Sequence, residues 1–311
     1  MTELAAYLAS NVGRDLEAPD VYQWQELLPA ISAKGLEAAL MQSPPSPTLE
    51  TRLAETTAAF IGLRERRVLS EVFGARRTLR FTRLLTHLLK PDSGLPVITT
   101  NYDRLIEVAS EEAGLGVDTL FVGDFAGSLN ESESRFRFCR EVTLRGKQVV
   151  WRYRPRVVLC KPHGSLDWYP RSGRPVRYQA ELDLPKLIIT PGYNKFRNGY
   201  ESPFDLHRER ANRAIDRATR FLIVGYGFND DHLETHLTPK IQSGTPALLL
   251  THSLSQNARN LTRECENFVA VERMFTGGVE GSRVNVRTSQ IDIPGVSLWD
   301  LNVFVSEVLE P

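Results

Sequence analysis

Cysteine is scarce in this chain of 311 residues, and its placement argues against two common kinds of stabilising site. Only Cys139, Cys160 and Cys265 are present, far apart and without the Cys-x-x-Cys spacing of zinc ligands. We therefore expect neither a bound metal nor a disulfide framework. A reducing, cytoplasmic setting fits this use of cysteine best.

The chain also lacks an excess of charge of either sign, because 38 Lys and Arg balance 38 Asp and Glu. A dedicated nucleic-acid binder usually carries a basic excess, so direct binding of nucleic acid is not expected, although residues 135–156 are locally rich in arginine. No apolar run is long enough to span a membrane, and the first residues do not follow the pattern of a signal peptide. We therefore expect no membrane partner.

The hydrophobic pattern changes near residue 94. Over residues 1–94 apolar side chains recur at helical spacing, which predicts a helical region that is part of the nucleotide domain or a lid on it. From residue 95 short apolar runs alternate with helical segments, as in a parallel sheet covered by helices. We predict an α/β fold with a Rossmann-like parallel sheet and helices on both faces over residues 95–311, with an insertion that contains a hairpin at about 117–156.

Five apolar runs are the predicted strands of this sheet, and helical segments connect them. The strands are expected at 97–99, 157–160, 187–190, 221–224 and 247–250, the crossover helices at 104–113, 205–220 and 231–241, and a closing helix at 296–309.

Three loops after predicted strands carry side chains suited to chemistry. Ligands of open parallel sheets bind beyond the carboxyl ends of the strands, where residues 99–103, 161–168 and 225–230 would lie. The amide of Asn101, the imidazole of His163 and a glycine-bracketed turn are thus expected at one edge of the sheet.

The strings Thr-Thr-Asn-Tyr-Asp and Pro-His-Gly-Ser resemble the Asn-Asp and His-Gly motifs of the sirtuin fold, and Gly-Tyr-Gly resembles its late ribose-phosphate loop. The set, over roughly residues 95–253, is most similar to the sirtuin-like domains of bacterial antiphage defence proteins. The resemblance implies that NAD is bound, that Asn101 orients the water or the nicotinamide ribose, and that His163 acts on the ribose hydroxyls or the water. The residues that it implies to line NAD are Thr100, Asp103, Gly164, Ser165, Gly225, Tyr226, Gly227 and Thr251.

The same resemblance implies an NAD glycohydrolase that releases nicotinamide and ADP-ribose as the toxic effector of antiphage defence. Sirtuins that deacylate proteins carry a four-cysteine zinc module after the His-Gly loop, whereas residues 169–185 contain no cysteine. Hydrolysis of NAD is therefore favoured over deacetylation. Related systems imply a homo-oligomer, with a HerA-type ATPase subunit or a phage trigger protein as further partners.

One element of the family pattern is missing, namely the Gly-Ala-Gly-x-Ser/Thr loop that holds the pyrophosphate. We therefore expect Met1 to be an internal methionine and a longer protein to bind NAD more tightly. The missing loop leaves open a second hypothesis, a regulatory or scaffold subunit that binds NAD or ADP-ribose without cleaving it. A nuclease that uses His232 and His236 is a third hypothesis, although no further metal ligand is evident.

Most of the candidate side chains also have purely structural alternatives. His163 could cap a turn, and Asn101 or Asp103 could cap the helix that follows them. Asp230 and Asp231 are expected to cap the helix at 231–241, and the His232 and His236 pair is expected on a solvated face.

Overall fold

The computed structural model describes residues 2–190 and 201–310 of the chain. They form two compact units, each assembled from two stretches of sequence. Met1–Thr78 and Lys90–His207 make the first unit, and Leu79–Leu89 and Arg208–Pro311 make the second. The hydrophobic pattern changes near residue 94, where the helices end and the first strand begins. That this position is also a domain boundary stays a prediction.

The first unit opens with four helices. They are α1 (Thr2–Asn11), which runs into a 3-10 turn at Val12–Asp15, α2 (Asp20–Lys34), α3 (Leu36–Gln42) and α4 (Pro47–Phe73). The start of α4 follows from the sequence, because the Ser46 side chain accepts a hydrogen bond from the Leu49 N–H and Pro47 occupies the first turn. Buried apolar side chains hold these helices together: Leu8, Val12, Trp24, Leu27, Ile31, Leu36, Ala39, Leu40, Leu49 and Leu53.

A three-stranded parallel sheet follows in the same unit. Its strands are β1 (Leu95–Ile98), β2 (Gly116–Asp118) and β7 (Arg156–Cys160), in the order β1-β7-β2, and α6 (Leu105–Glu112) connects β1 to β2. All five residues of β7 are buried, as expected of a central strand that reads as an almost continuous apolar run. The predicted α/β organisation with a parallel sheet is confirmed.

The segment between β2 and β7 forms short elements around a hairpin. They are β3 (Phe121–Val122), β4 (Ala126–Leu129), α7 (Glu131–Phe136), β5 (Cys139–Arg145) and β6 (Gln148–Tyr153). The last two pair with each other as a separate two-stranded sheet, whereas β3 and β4 join β8 (Trp168–Arg171) and β9 (Arg174–Tyr178) in the order β3-β4-β9-β8. The segment expected as an insertion thus also contributes most of β2 to the parallel sheet.

The predicted strand at 187–190 is wrong. Within this run only Ile188 makes a strand-like bridge, to Gly164. The backbone instead bonds to the loop after β7, because the Ile189 N–H donates to the His163 carbonyl at 2.9 Å and the Leu187 carbonyl accepts from the Ser165 N–H at 3.3 Å. The apolar character of the run reflects burial against that loop.

The second unit contains a five-stranded mixed sheet. The strands β10 (Phe221–Val224), β11 (Ala247–Thr251) and β12 (Phe268–Thr276) are parallel, and β13 (Val279–Val286) and β14 (Ser289–Pro294) extend the sheet antiparallel. Its helices are α5 (Arg80–His87), the greater part of α8 (Phe204–Arg217), α9 (Asp231–Gln242), α10 (Gln256–Glu264) and α11 (Leu301–Phe304), which continues as a π-helical turn at Val305–Leu309.

The predicted parallel strands therefore fall in two sheets, and the closing helix predicted at 296–309 begins only at Leu301. The strands β12, β13 and β14 were not predicted. Within the described part of the chain, no helix combines the length and the apolar character that crossing a bilayer requires.

Two leucines of α4 provide a matched test of where the first core lies. Leu53 is 2% exposed and packs in the helical core, whereas Leu63 is 51% exposed on the same helix. We expect Leu53→Ala to lower the free energy of unfolding by about 2–5 kcal/mol, because it leaves a cavity. Leu63→Ala should change it by less than about 0.5 kcal/mol. Urea unfolding followed by circular dichroism measures both, and equal losses would contradict this account of the core.

Candidate active site

The loops that carry Asn101 and His163 leave the sheet side by side. In the pairing of β1 with β7, Ile98 lies opposite Cys160, and the Thr99 N–H extends the pairing by donating to the Cys160 carbonyl at 3.0 Å. Asn101 and His163 each come three residues after this matched pair. Because the strands are parallel, both residues lie beyond the same edge of the sheet, where ligands of such sheets bind.

The backbone carbonyl of Tyr102 ties these two loops together. It accepts hydrogen bonds from the Lys161 ammonium at 3.3 Å, from the Ser165 hydroxyl at 3.3 Å and from the Leu166 N–H at 3.0 Å. The Lys161 ammonium also donates to the Asp103 carbonyl. The loop with the amide is thus fixed against the loop with the imidazole by four hydrogen bonds.

Lys161 is buried, at 1% exposure, and its charge is balanced by Glu107 of α6. The ammonium nitrogen lies 3.1 Å from a Glu107 carboxylate oxygen. Burial raises the pKa of Glu107, and the nearby Lys161 charge opposes that rise only in part. This ion pair joins the loop after β7 to α6, the helix after β1, and therefore links the two motif loops.

A second buried pair stabilises the end of the His163 loop. The Asp167 carboxylate accepts a hydrogen bond from Arg177 Nε at 2.7 Å, and its side chain is 0% exposed. Burial alone would raise the pKa of Asp167. The charges of Arg177 and Lys161 and the hydrogen bonds from Ser165 and Arg177 outweigh burial and hold the pKa below its ordinary value. Asp167 is therefore a charged anchor that attaches the loop to β9.

Gly164 allows the chain to turn sharply after His163. Its φ is +92°, and a Cβ atom placed there would lie 2.1 Å from the Leu187 carbonyl oxygen. No L-residue with a side chain fits this position without moving the backbone. His163 itself is buried, at 8% exposure, and its Nε2 atom is not accessible to solvent.

Asp103 and Asn101 differ in environment. The Asp103 carboxylate accepts a hydrogen bond from the Leu105 N–H at 3.1 Å, so Asp103 caps the first turn of α6. The Asn101 side chain is exposed, and its backbone N–H donates to the Thr99 hydroxyl at 3.1 Å. The structural role considered for Asn101 in the sequence thus belongs to Asp103, which leaves the Asn101 amide facing solvent.

Helix α4 reaches the same loop through a third buried pair. The Glu65 side chain is 0% exposed and accepts from the Arg104 backbone N–H at 2.5 Å and from the Arg104 guanidinium at 2.5 and 3.1 Å. Arg104 also donates to the Gln179 carbonyl at 2.7 Å. The helical region before residue 94 is therefore part of the support of the site.

The remaining predicted NAD-lining residues lie in the second unit. Gly225 follows β10 with a φ of +65°, and Thr251 ends β11. Burial and the neighbouring Asp230 and Glu234 raise the pKa of Tyr226, so its hydroxyl stays protonated. Within this unit, the Gly225–Asp230 loop is held by the Ser255 hydroxyl, which donates to the Gly227 carbonyl, and by the Asn257 amide, which donates to the Phe228 carbonyl.

The capping role expected for Asp230 is confirmed. Its carboxylate accepts from the His232 and Leu233 N–H groups at the start of α9. His236 is half-buried, and its Nδ1 atom lies 2.9 Å from a carboxylate oxygen of Asp216. Among the described residues, no group of three His, Cys, Asp or Glu side chains is arranged to hold a metal ion.

Sequence reasoning missed the charged residues that form buried pairs around the motif loops. Glu65, Glu107, Lys161 and Arg177 were not singled out, because each is a charged residue whose burial depends on tertiary packing. The only available signal was the position of Lys161 within a buried loop next to His163.

Comparison with known protein families finds one match, and it covers the loops of Asn101 and His163. The profile of the SIR2-like domain matches residues 96–260, more than half of the chain. The chain therefore belongs to the family of SIR2-like domains, whose functions are related to NAD. No curated protein is a significant match to it. The family match begins at the second residue of β1, and so it includes the loops of Asn101, His163 and Gly225.

Removal of the buried ammonium should test how far these loops depend on it. We expect Lys161→Met to lower the free energy of unfolding by about 3–5 kcal/mol, because it leaves the Glu107 charge buried without its partner. Glu107→Gln added to Lys161→Met should recover part of that loss, since it removes the stranded charge. Lys34→Met, on an exposed lysine, is the control, with a change within about 0.5 kcal/mol. Thermal and urea unfolding of the unaltered protein and the three variants measure these changes. If Lys161→Met left the free energy of unfolding unchanged, the ion pair would be dispensable for stability.

Proposed function

We propose that this SIR2-like domain is an NAD glycohydrolase that cleaves NAD to nicotinamide and ADP-ribose. The observation that carries the proposal is the placement of Asn101 and His163 at equal offsets beyond paired positions of adjacent parallel strands. Asn101 is exposed, so a substrate that arrives from solvent can reach it, whereas His163 is buried in the neighbouring loop.

The reaction breaks the bond between the nicotinamide nitrogen and the ribose anomeric carbon. The electron pair of that bond goes to the nicotinamide, which starts cationic and leaves neutral, while the ribose develops oxocarbenium character. Water then adds to the anomeric carbon and loses a proton. Such a step needs positioning and a base of near-neutral pKa, which histidine supplies.

In this mechanism Asn101 orients the water or the nicotinamide ribose, and His163 acts on the water or the ribose hydroxyls. Thr100, Asp103, Gly164 and Ser165 surround these two residues in sequence and contact NAD in the proposal, as do Gly225, Tyr226, Gly227 and Thr251. Asp103 combines this role with capping of α6. The role of the four residues from the second unit rests on the family resemblance.

We further propose that NAD depletion serves antiphage defence in the cytoplasm, with the chain acting as a homo-oligomer together with a HerA-type ATPase subunit or a phage trigger protein. This part rests on the similarity of the motif strings to defence proteins. Loss of culture viability on expression, reversed by the catalytic substitutions, is the expected cellular signature.

Asn101→Ala and His163→Ala should each abolish NAD cleavage while the protein stays folded. Loss of a positioned base typically lowers the rate ~10²–10⁴-fold. The measurement is release of nicotinamide from NAD by liquid chromatography, with and without added metal. Asn11→Ala and His87→Ala remove the same side-chain types from helices α1 and α5 and serve as matched controls.

Full activity of either site variant in a folded sample would rule out the catalytic assignment. Binding of NAD by the unaltered protein without nicotinamide release would favour the regulatory subunit over the enzyme. Cleavage of a nucleic acid that requires metal would favour the nuclease.

The protein should also fail to remove acetyl groups from an acetyl-lysine peptide. The segment 169–185, which follows the His163 loop, contains most of β8 and all of β9. It has no cysteine and therefore cannot form a four-cysteine zinc module. Mass spectrometry of the peptide after incubation with NAD is the measurement. Deacetylation coupled to NAD consumption would contradict this expectation.

A further inference from the structure

The hairpin of β5 and β6 concentrates positive charge in a chain that is neutral overall. The hairpin carries four exposed Lys and Arg side chains and one carboxylate, that of Glu141, which pairs with Arg152; Arg135, Arg137 and Arg154, which flank the hairpin, bring the exposed basic side chains to seven. The basic residues are Arg135, Arg137, Arg140, Arg145, Lys147, Arg152 and Arg154. Arg145 and Lys147, at the turn, form no ion pair with any other described residue. The turn is therefore a cationic projection.

One face of the same hairpin is apolar and open to solvent. Val142 pairs with Trp151 and Leu144 with Val149, so the four side chains share one face. They are 52%, 43%, 74% and 51% exposed in that order. An isolated two-stranded sheet is only marginally stable in water, and contiguous exposed apolar side chains mark interaction surfaces. Phe136 of α7 packs against Trp151, with ring centroids 5.4 Å apart, and the rest of the face is open to a partner.

A complementary surface lies on the first three helices and on the segment between α1 and α2, which contains Glu17. Residues 2–42 contain six acidic side chains and two basic ones, and two of the six, Glu3 and Asp15, pair with Arg64 and Arg52 of α4. Glu17 and Glu26 are exposed and form no ion pair with a described residue. Two apolar side chains of these helices are also exposed, Tyr22 of α2 at 66% and Met41 of α3 at 54%. Tyr22 and Glu26 are four residues apart on α2 and therefore share a face.

We propose that the hairpin of one copy docks on the α1–α3 surface of a second copy. Two hairpins meeting each other would bring their positive charges together, which disfavours a symmetric contact through this element. A contact between the hairpin and the acidic helices joins opposite charges and buries apolar groups on both sides. Such a head-to-tail contact repeats from copy to copy and gives a ring or an open filament, according to the rotation between copies. An apolar centre with an arginine-rich margin is also the usual composition of a protein interface.

Charge reversal on each side, followed by reversal of both, tests the contact. Light scattering after gel filtration and sedimentation velocity of the full chain should show self-association that weakens as salt rises. Arg145→Glu with Lys147→Glu should abolish self-association, and so should Glu17→Lys with Glu26→Lys. The protein that carries all four substitutions should associate again, as should a mixture of the two reversed proteins. Leu144→Gln should weaken the association at every salt concentration.

The restored association separates a true contact from simple misfolding, because a damaged protein would not recover with further substitutions. A chain that stays monomeric at low salt, or reversed hairpins that associate like the unaltered chain, would overturn the proposal. Two further probes are a single-stranded oligonucleotide and vesicles of phosphatidylglycerol and phosphatidylcholine. If the hairpin reversal removes binding of either probe and leaves the oligomeric state unchanged, the surface serves that ligand and the proposed contact is wrong.

Discussion

The candidate site depends on the contact between the Lys161 ammonium and the backbone of the Asn101 loop. That ammonium donates to the backbone carbonyls of two consecutive residues, Tyr102 and Asp103, and so fixes the backbone directly after Asn101. The parallel strands β1 and β7 align the two loops only as far as the last paired residues, Ile98 and Cys160. Beyond that point the two loops are held by side-chain hydrogen bonds from Lys161 and Ser165 and by backbone hydrogen bonds such as that from the Leu166 N–H to the Tyr102 carbonyl. A small error there would misplace both groups relative to any substrate.

The buried carboxylates around the site are all paired, because burying an isolated charge costs too much free energy. Each of Glu65, Glu107 and Asp167 has a cationic partner within hydrogen-bond distance. The pH responses of two of them oppose each other. The lowered pKa of Asp167 contributes stability, and this stability is lost as the pH falls below 3.8, the ordinary pKa of an aspartate. The raised pKa of Glu107 makes the folded state less stable as the pH rises above 4.5.

The sequence was informative where local pattern and tertiary role coincide. The run Val157 to Cys160 is apolar because β7 is buried on both sides, and its central position follows from that burial. The run at 187–190 has the same apolar texture, but it packs against the turn at Gly164 and forms no strand. Periodicity alone does not distinguish these two kinds of burial. The catalytic candidates were found because loops after strands carry them, whereas Lys161 and Glu65 act from positions whose importance appears only in three dimensions.

Net charge was the least informative property of the chain, because opposite charges are separated along it. The balance of 38 basic and 38 acidic residues includes a strongly basic hairpin and an acidic stretch of helices. The net charge averages over these two regions and hides the local charge that governs association. A partner responds to the charges within about a Debye length of it, ~8–10 Å at ordinary salt. The hairpin turn and the first helices are distinct elements of one compact unit, so a partner meets each potential at its own surface. A neutral chain can therefore present two charged surfaces, and opposite surfaces on identical chains favour assembly of the chain with itself.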